Sequence, residues 1–334
     1  MNLLRKILFP VVPFYHLATW LRNKAFDSGF LESRSYGLPI ITVGNLSVGG
    51  TGKTPMVEYL IRLLKDEFFL ATLSRGYKRK TKGFIKADKE VSVESIGDEP
   101  FQIYNKFNDI SVSVDVDRQN GISQLLNLKH PPEVILLDDA LQHRKVKAGL
   151  NILLTAYDNL YIKDFVLPTG NLREPISGAK RADVVVVTKC PDVIDELEKQ
   201  SIRFSLKLSN HQRLFFSTIN YAHTIYSQDS NKPLTYLKEK SFTLVTGIAN
   251  ANPLLEFLNI KGLNFEHLNF KDHHDFTDND LKELNTKSFI LTTEKDFVRI
   301  KDKITTEVYY LPIQISICES EIFDRLIKNF VTNF

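Results

Sequence analysis

Cysteine is scarce in this sequence: the 334 residues contain two, Cys190 and Cys318. Two thiols so placed make neither a disulfide framework nor a metal-ligand spacing, and point to core thiols in a reducing compartment. An excess of one charge is also missing. The 43 Lys and Arg against 40 Asp and Glu leave a formal +3, too mild for a nucleic-acid binder, so no nucleic-acid partner is expected. There is no internal repeat, low-complexity tract or long disordered linker. The longest charge-free run near the N-terminus, residues 7–21, falls short of the about 18–20 apolar residues of a spanning helix. Pro10 and Pro13 interrupt it further. Arg5 and Lys6 precede the run, yet no small-residue cleavage site follows, which argues against a signal peptide.

The most informative stretch is residues 39–55, PIITVGNLSVGGTGKTP. A β-branched run reads as a buried strand, a glycine-rich turn follows, and Val57, Leu60, Ile61 and Leu64 mark one face of a helix. Strand, glycine turn, Lys-Thr and helix form a phosphate-binding P-loop in its confirming context. Backbone N–H groups of Ser47, Val48, Gly49, Gly50, Thr51 and Gly52 are expected to cradle phosphates at a helix N-terminus. Lys53 should reach the β- and γ-phosphates, and Thr54 should place its hydroxyl on Mg²⁺. The first glycine of the usual pattern is replaced by Ser47.

Further motifs fall at predicted strand ends. Residues 134–139, VILLDD, are four apolar residues ending in acids, about 85 positions after the P-loop lysine. That is a Walker B pattern, which delivers a carboxylate to Mg²⁺. His143 just beyond reads either as a phosphate neighbour or as a turn cap. The basic loop from Arg75 to Lys82 reads either as a solvated face or as a meeting point for an anionic substrate. Asp98 in GDEP is a helix N-cap or a catalytic carboxylate. Arg173 and Glu174 in LPTGNLREP are a surface ion pair, or an arginine for the transferring phosphoryl group and a metal-side acid. In TKCPD, Pro191 stands where a guanine-reading [NT]-K-x-D motif has its Asp, which argues against a GTPase. Asp272-His273-His274-Asp275 suits a general base or an orienting histidine better than a metal. Residues 293–296, TEKD, are a functional loop or a capping box.

Alternating strands and helices predict an α/β fold: a P-loop NTPase-like parallel sheet with helices on both faces, plus a second, smaller α/β domain. The pattern divides into an N-terminal interfacial helix region (1–26), a P-loop domain (27–219), a linker (220–240) and a C-terminal unit (241–334). A helix from about residue 14 would gather Phe14, Leu17, Ala18, Leu21 and Ala25 on one face, with aromatic and basic flanks. Such a face suits a membrane–water interface, or the protein's own core.

Taken together, SVGGTGKTP, SRGY, GDEP, DDALQHR, LPTGNLREP, VVTKC, KDHHDF and TTEKD resemble, in order and spacing, the tetraacyldisaccharide 4′-kinase family. Ala140 departs from the commoner DDG. The resemblance implies an ATP- and Mg²⁺-dependent kinase that makes lipid IVA. It would phosphorylate the 4′-hydroxyl of a tetraacyl glucosamine disaccharide 1-phosphate by in-line transfer, as a peripheral or monotopic monomer at the cytoplasmic face of the bacterial inner membrane. It implies ATP contacts from Ser47 through Thr54 and from His143. Around Mg²⁺ it implies Thr54, Asp138, Asp139 and Glu174. Lys53 and Arg173 would act on the phosphoryl group, and Asp98 with His273 would form the catalytic pair, brought together by closure of two domains. The competing readings are a P-loop GTPase or ATPase acting as regulator or metal chaperone, and a soluble small-molecule kinase.

Overall fold

A computed structural model of the chain describes residues 8–272 and 274–334; residues 1–7 and His273 lie outside the described residues. Strand β1 (Ile40–Asn45) is buried along its whole length. Helix α1 (Val12–Asp27) precedes it. Helix α2 (Lys53–Leu64) follows the glycine turn and buries Met56, Val57, Leu60, Ile61 and Leu64. Each such side chain contributes about 1.5–3 kcal/mol relative to exposure.

The described residues form two sheets. The larger has nine strands in the order β15-β8-β7-β6-β1-β5-β2-β4-β3. Its seven central strands run parallel: β8 (Arg213–Tyr221), β7 (Val184–Thr188), β6 (Leu150–Ala156), β1, β5 (Val134–Asp138), β2 (Leu70–Ser74) and β4 (Ser111–Val114). Short β3 (Ile85–Lys86) closes one edge antiparallel. Helices α3 (Asp98–Lys106), α4 (Arg118–Leu126) and α5 (Glu196–Leu206) belong to this half, α4 and α5 capped by Asp117 and Asp195. Two apolar layers, one around Val57, Leu136 and Phe323 and one around Leu73, Ile122 and Leu137, cover its opposite faces. The Walker B strand pairs directly with β1, so the glycine turn and the acids of residues 138 and 139 emerge side by side at the carboxyl ends, where ligands bind in such sheets.

The smaller sheet has six strands, β10-β9-β14-β13-β11-β12. β11 (Phe242–Thr246), β12 (Phe265–Asn269), β13 (Ile290–Thr293) and β14 (Val308–Leu311) are parallel, and β9 (Thr224–Tyr226) and β10 (Asn231–Pro233) add antiparallel. Its helices are α6 (Asn252–Ile260), α7 (Asp278–Leu284) and α8 (Glu294–Ile300).

Two features differ from the sequence reading. Much of the stretch read as a linker is ordered: β9, β10 and a 3-10 turn (Leu234–Glu239) belong with the smaller sheet. The chain's end does not stay there either. β15 (Ile313–Ile317) returns to pair antiparallel with β8, and α9 (Ser320–Thr332) buries Phe323, Ile327 and Val331 against the α2 side of the larger sheet. The larger sheet is thus closed by the last residues of the chain.

Candidate active site

The loop between β1 and α2 is shaped by glycines. Gly49 and Gly52 have φ of +114° and +83°, a region that L side chains rarely adopt. Gly52 serves as N-cap, and its carbonyl accepts from Met56 N at 3.1 Å. Asn45 Nδ2 donates to Thr51 Oγ1 at 2.8 Å. Ser47 keeps a backbone that needs no glycine and makes an antiparallel bridge to Leu172, while Val48 N donates to Asn171 O at 2.8 Å. The unusual serine is therefore placed where the strand continues into pairing with the LPTGNLREP loop.

Lys53 lies toward the Walker B acids, its Nζ 3.7 Å from Asp139 Oδ1. Arg173 Nη1 donates to both oxygens of Asp139, at 2.8 and 2.9 Å. Burial pushes the Asp139 carboxyl up, but Lys53 and Arg173 outweigh it and hold the group below its ordinary value. Asp139 also carries the left-handed backbone of this turn, φ +49°, so Ala140 needs no glycine there. Behind it Gly44 of β1 touches Leu141; a Cβ at Gly44 would meet Leu141 Cβ at 2.7 Å. That close approach sets the DDALQHR turn directly over β1.

Asp138 has the opposite electrostatics. It is fully buried, and burial, then Glu99 and Asp139, push its carboxyl up to about 7 against Lys53 and Arg118. Its Oδ1 is buried with no hydrogen-bond partner among the described residues. A buried acceptor without a donor is costly, and it fits a divalent cation. Among the described residues no three His, Cys, Asp or Glu side chains converge on one point. Mg²⁺ does not require such a cage, because it is held by one or two carboxylates together with phosphates and water. His143 is held down to about 4 by burial, then by Arg118 and Arg75, so it is neutral near pH 7.

Glu174, expected beside the metal, is buried and accepts from three side chains. Asn23 Nδ2 and Gln142 Nε2 donate at 2.8 and 2.9 Å, and Arg181 Nη2 at 2.6 Å. The bond from Asn23 joins α1 to the site. Two more bonds do the same: Tyr15 Oη to Arg173 O at 2.8 Å, and Arg22 Nη2 to Gln142 O at 2.9 Å. The inward side of α1 is consequently polar, while Phe14, Leu17, Trp20 and Leu21 are exposed, Phe14 by 73%. Sixteen residues span about 24 Å at 1.5 Å each; no helix of the described residues is long and apolar enough to cross a membrane.

Asp98 is the first residue of α3 but not a cap: Gly97 occupies that position with φ +93°. Asp98 Oδ1 accepts from Glu99 N at 3.1 Å, and Oδ2 accepts from Arg299 on α8 of the smaller sheet. Arg299 is also paired with Asp296, which is fully buried and accepts from Gly247 N at 2.8 Å and Thr293 Oγ1 at 2.7 Å. Lys106 on α3 bridges Glu58 on α2 and Glu294 on α8, both at 2.8 Å. The two sheets are therefore joined at Asp98 through Arg299. The TTEKD loop, ambiguous in sequence, is one half of that junction, with Thr293 capping α8. The basic loop is divided: Arg79 bonds Gly83 O, Lys80 pairs with Glu94, and Lys78 lies 3.5 Å from Asp275. Lys295 lies between Glu99 and Asp272, and His274 bonds Asp280 at 2.9 Å. The position of His273 itself is outside the described residues.

The model of one family, tetraacyldisaccharide-1-P 4′-kinase, matches residues 4–332. A Flavobacterium johnsoniae protein named tetraacyldisaccharide 4′-kinase is 54% identical over 336 residues, covering 99% of this chain and 98% of that one. A Bacteroides fragilis protein of the same name is 45% identical, covering 95% and 90%. Among solved structures, that of LpxK from Aquifex aeolicus, in complex with ATP, superposes with a TM-score of 0.81 at 33% identity, covering 98% of this chain and 100% of that one.

Proposed function

Because the chain belongs to the tetraacyldisaccharide-1-P 4′-kinase family, we propose that it transfers the γ-phosphoryl group of ATP to the 4′-hydroxyl of a tetraacylated glucosamine disaccharide 1-phosphate, giving lipid IVA. It is a phosphotransferase with a hydroxyl acceptor, and it shares its fold with an ATP-bound relative. The observation that carries the finer reading is the convergence of Lys53, Asp138, Asp139 and Arg173 at the mouth of the glycine turn. Thr54 and Asp138 would hold Mg²⁺, which neutralises phosphate charge when bound. Asp139 holds Lys53 and Arg173 toward the same point, so both cations face the transferring group, where fixed positive charge is most effective. Neutral His143 sits among Arg118 and Arg75, beside the phosphates.

A sugar hydroxyl is a weak nucleophile near pH 7, and a positioned base gives about 10²–10⁴ fold. In this reading Asp98 and His273 supply it, with Asp98 anchored across the two sheets by Arg299. In-line displacement then places the acceptor oxygen opposite the leaving ADP.

The exposed apolar side of α1 would lie in the interface of the inner membrane on its cytoplasmic face, giving peripheral attachment next to the acyl chains of the acceptor. Purified chain with labelled ATP and the disaccharide lipid in mixed micelles tests the proposal. Label in the lipid at the 4′ position is the expected result, and hydrolysis of ATP with no labelled lipid refutes it.

A further inference from the structure

One carboxylate interrupts the apolar side of the P-loop helix. Glu58 lies among Val57, Leu60 and Ile61 of α2 and is 2% exposed. A buried charge is costly unless it is paired and bonded, and here three donors meet it. Arg62 Nη2 donates to Oε2 at 2.9 Å, Gln102 Nε2 to Oε1 at 3.0 Å and Lys106 Nζ to Oε2 at 2.8 Å. Well-packed apolar residues would serve stability as well as such a group. What the charged group adds is direction, because each bond holds one donor on a chosen atom.

Two of the donors come from α3. Asp98, Gln102 and Lys106 are spaced by four residues, so they stand a turn apart along one edge of that helix. Glu58 follows Lys53 by five residues in one unbroken helix, about 7.5 Å along its axis. Two rigid segments therefore separate the P-loop lysine from the Asp98 carboxylate, and Glu58 bonds one segment to the other. Lys106 carries the link on to Glu294 at 2.8 Å, the first residue of α8, whose Arg299 returns to Asp98. We propose that Glu58 is a positioning residue for phosphoryl transfer: through Gln102 and Lys106 it seats α3 on the P-loop helix, and so sets the Asp98 carboxylate relative to the phosphate held at Lys53. A displacement of about 1 Å at a reacting centre costs about 10² fold, so a carboxylate carried on a separate helix needs a fixed link of this kind.

The proposal rests on the reading that Asp98 acts on the acceptor hydroxyl. Its test is a double-mutant cycle on the full chain, with kcat, KM for ATP and for the disaccharide lipid, and the urea midpoint measured on each variant. Glu58→Leu leaves Lys106 paired with Glu294 and leaves Arg62 part-exposed to water. It is expected to lower kcat about 10–100 fold, with both KM values within about threefold. Asp98→Asn alone loses about 10²–10⁴ fold. Adding Glu58→Leu to Asp98→Asn is expected to cost at most about twofold more, because the placement of a carboxylate already absent cannot be lost again. Gln102→Leu keeps Glu58 paired with Arg62 and Lys106, so the buried charge stays compensated; it is expected to lower kcat about 3–10 fold, with the same dependence on Asp98. Unchanged kcat in Glu58→Leu overturns the proposal; should that variant not fold, unchanged kcat in Gln102→Leu does so. A loss that multiplies in full with that of Asp98→Asn also overturns it and makes Glu58 a support of the fold. Full turnover in Asp98→Asn overturns the reading of Asp98 itself, and the proposal with it.

Discussion

Asp98 and Arg299, 201 residues apart, form an ion pair that joins the first turn of α3 to the smaller sheet. Both side chains are nearly buried, and Arg299 is shared with the fully buried Asp296. Removing one member of such a group leaves uncompensated charge. Arg299→Met should destabilise by about 3–5 kcal/mol, read as a lower urea midpoint, and Arg299→Lys should recover only part of it because it cannot form the two-sided fork. Asp98→Ala removes the other member and should also lower the urea midpoint, and in the folded protein it should lower kcat about 10²–10⁴ fold while ATP binding is kept. Full turnover in Asp98→Ala would remove Asp98 from the chemistry and leave it a structural link.

Asp138 sets function against stability. Its buried Oδ1 has no donor among the described residues, and its carboxyl is pushed up to about 7 by burial and then by neighbouring acids. Asp138→Asn removes the charge while keeping the shape. The metal-free protein should become more stable, by about 1–3 kcal/mol, while kcat falls about 10²–10³ fold. Thermal melting and lipid phosphorylation measured on the same preparation check both halves; a less stable variant would contradict the electrostatic account.

The parts of this site legible in the sequence are those written in consecutive residues. The glycine turn, Lys53, Thr54 and the Walker B acids each need one strand and one turn, and their periodicity declares both. The partners of those residues are a different matter. Nothing near Glu174 announces that Asn23, 151 positions away, is one of its donors, nor does GDEP announce Arg299. Such pairs are made by tertiary packing and leave no local pattern. Strand β15 was within reach: Ile313, Ile315 and Ile317 alternate with polar residues in the period of a half-buried strand. It follows Val308–Leu311 directly, with Pro312 separating two strands that join different sheets, a division that the local pattern does not announce.

Helix α1 presents a reversed amphipathic arrangement, with Asn23 and Tyr15 turned to the protein and Phe14, Leu17, Trp20 and Leu21 turned out. Replacing Leu17 and Trp20 together by Asp and Ala removes apolar surface from the outer side alone. Partitioning to vesicles containing anionic lipid should fall about 10–100 fold, with ATP binding unchanged. Asn23→Ala should act the other way, leaving partitioning intact and lowering turnover by loosening Glu174. Equal partitioning of the Leu17/Trp20 variant and the unaltered chain would make the outer side of α1 irrelevant to membranes.

The Glu58–Lys106–Glu294 group ties the P-loop helix to the smaller sheet and should make stability depend on pH. Burial, then the charge of Glu58, pushes the Glu294 carboxyl from its ordinary 4.5 up to about 7, against the pull of Lys106. The folded chain therefore holds this proton more tightly than the unfolded chain. Between pH 4.5 and about 7 the native state binds more protons, so this group's contribution to stability is largest at the acid end and declines as pH rises through that window. Asp138 has a shift of the same sign, so both act together. Glu294→Gln keeps the hydrogen bond to Lys106 and cannot ionise. Urea unfolding at intervals from pH 4.5 to 7.5 should show a shallower decline in the variant than in the unaltered chain. Equal slopes would mean that Lys106 alone keeps Glu294 ionised in the fold.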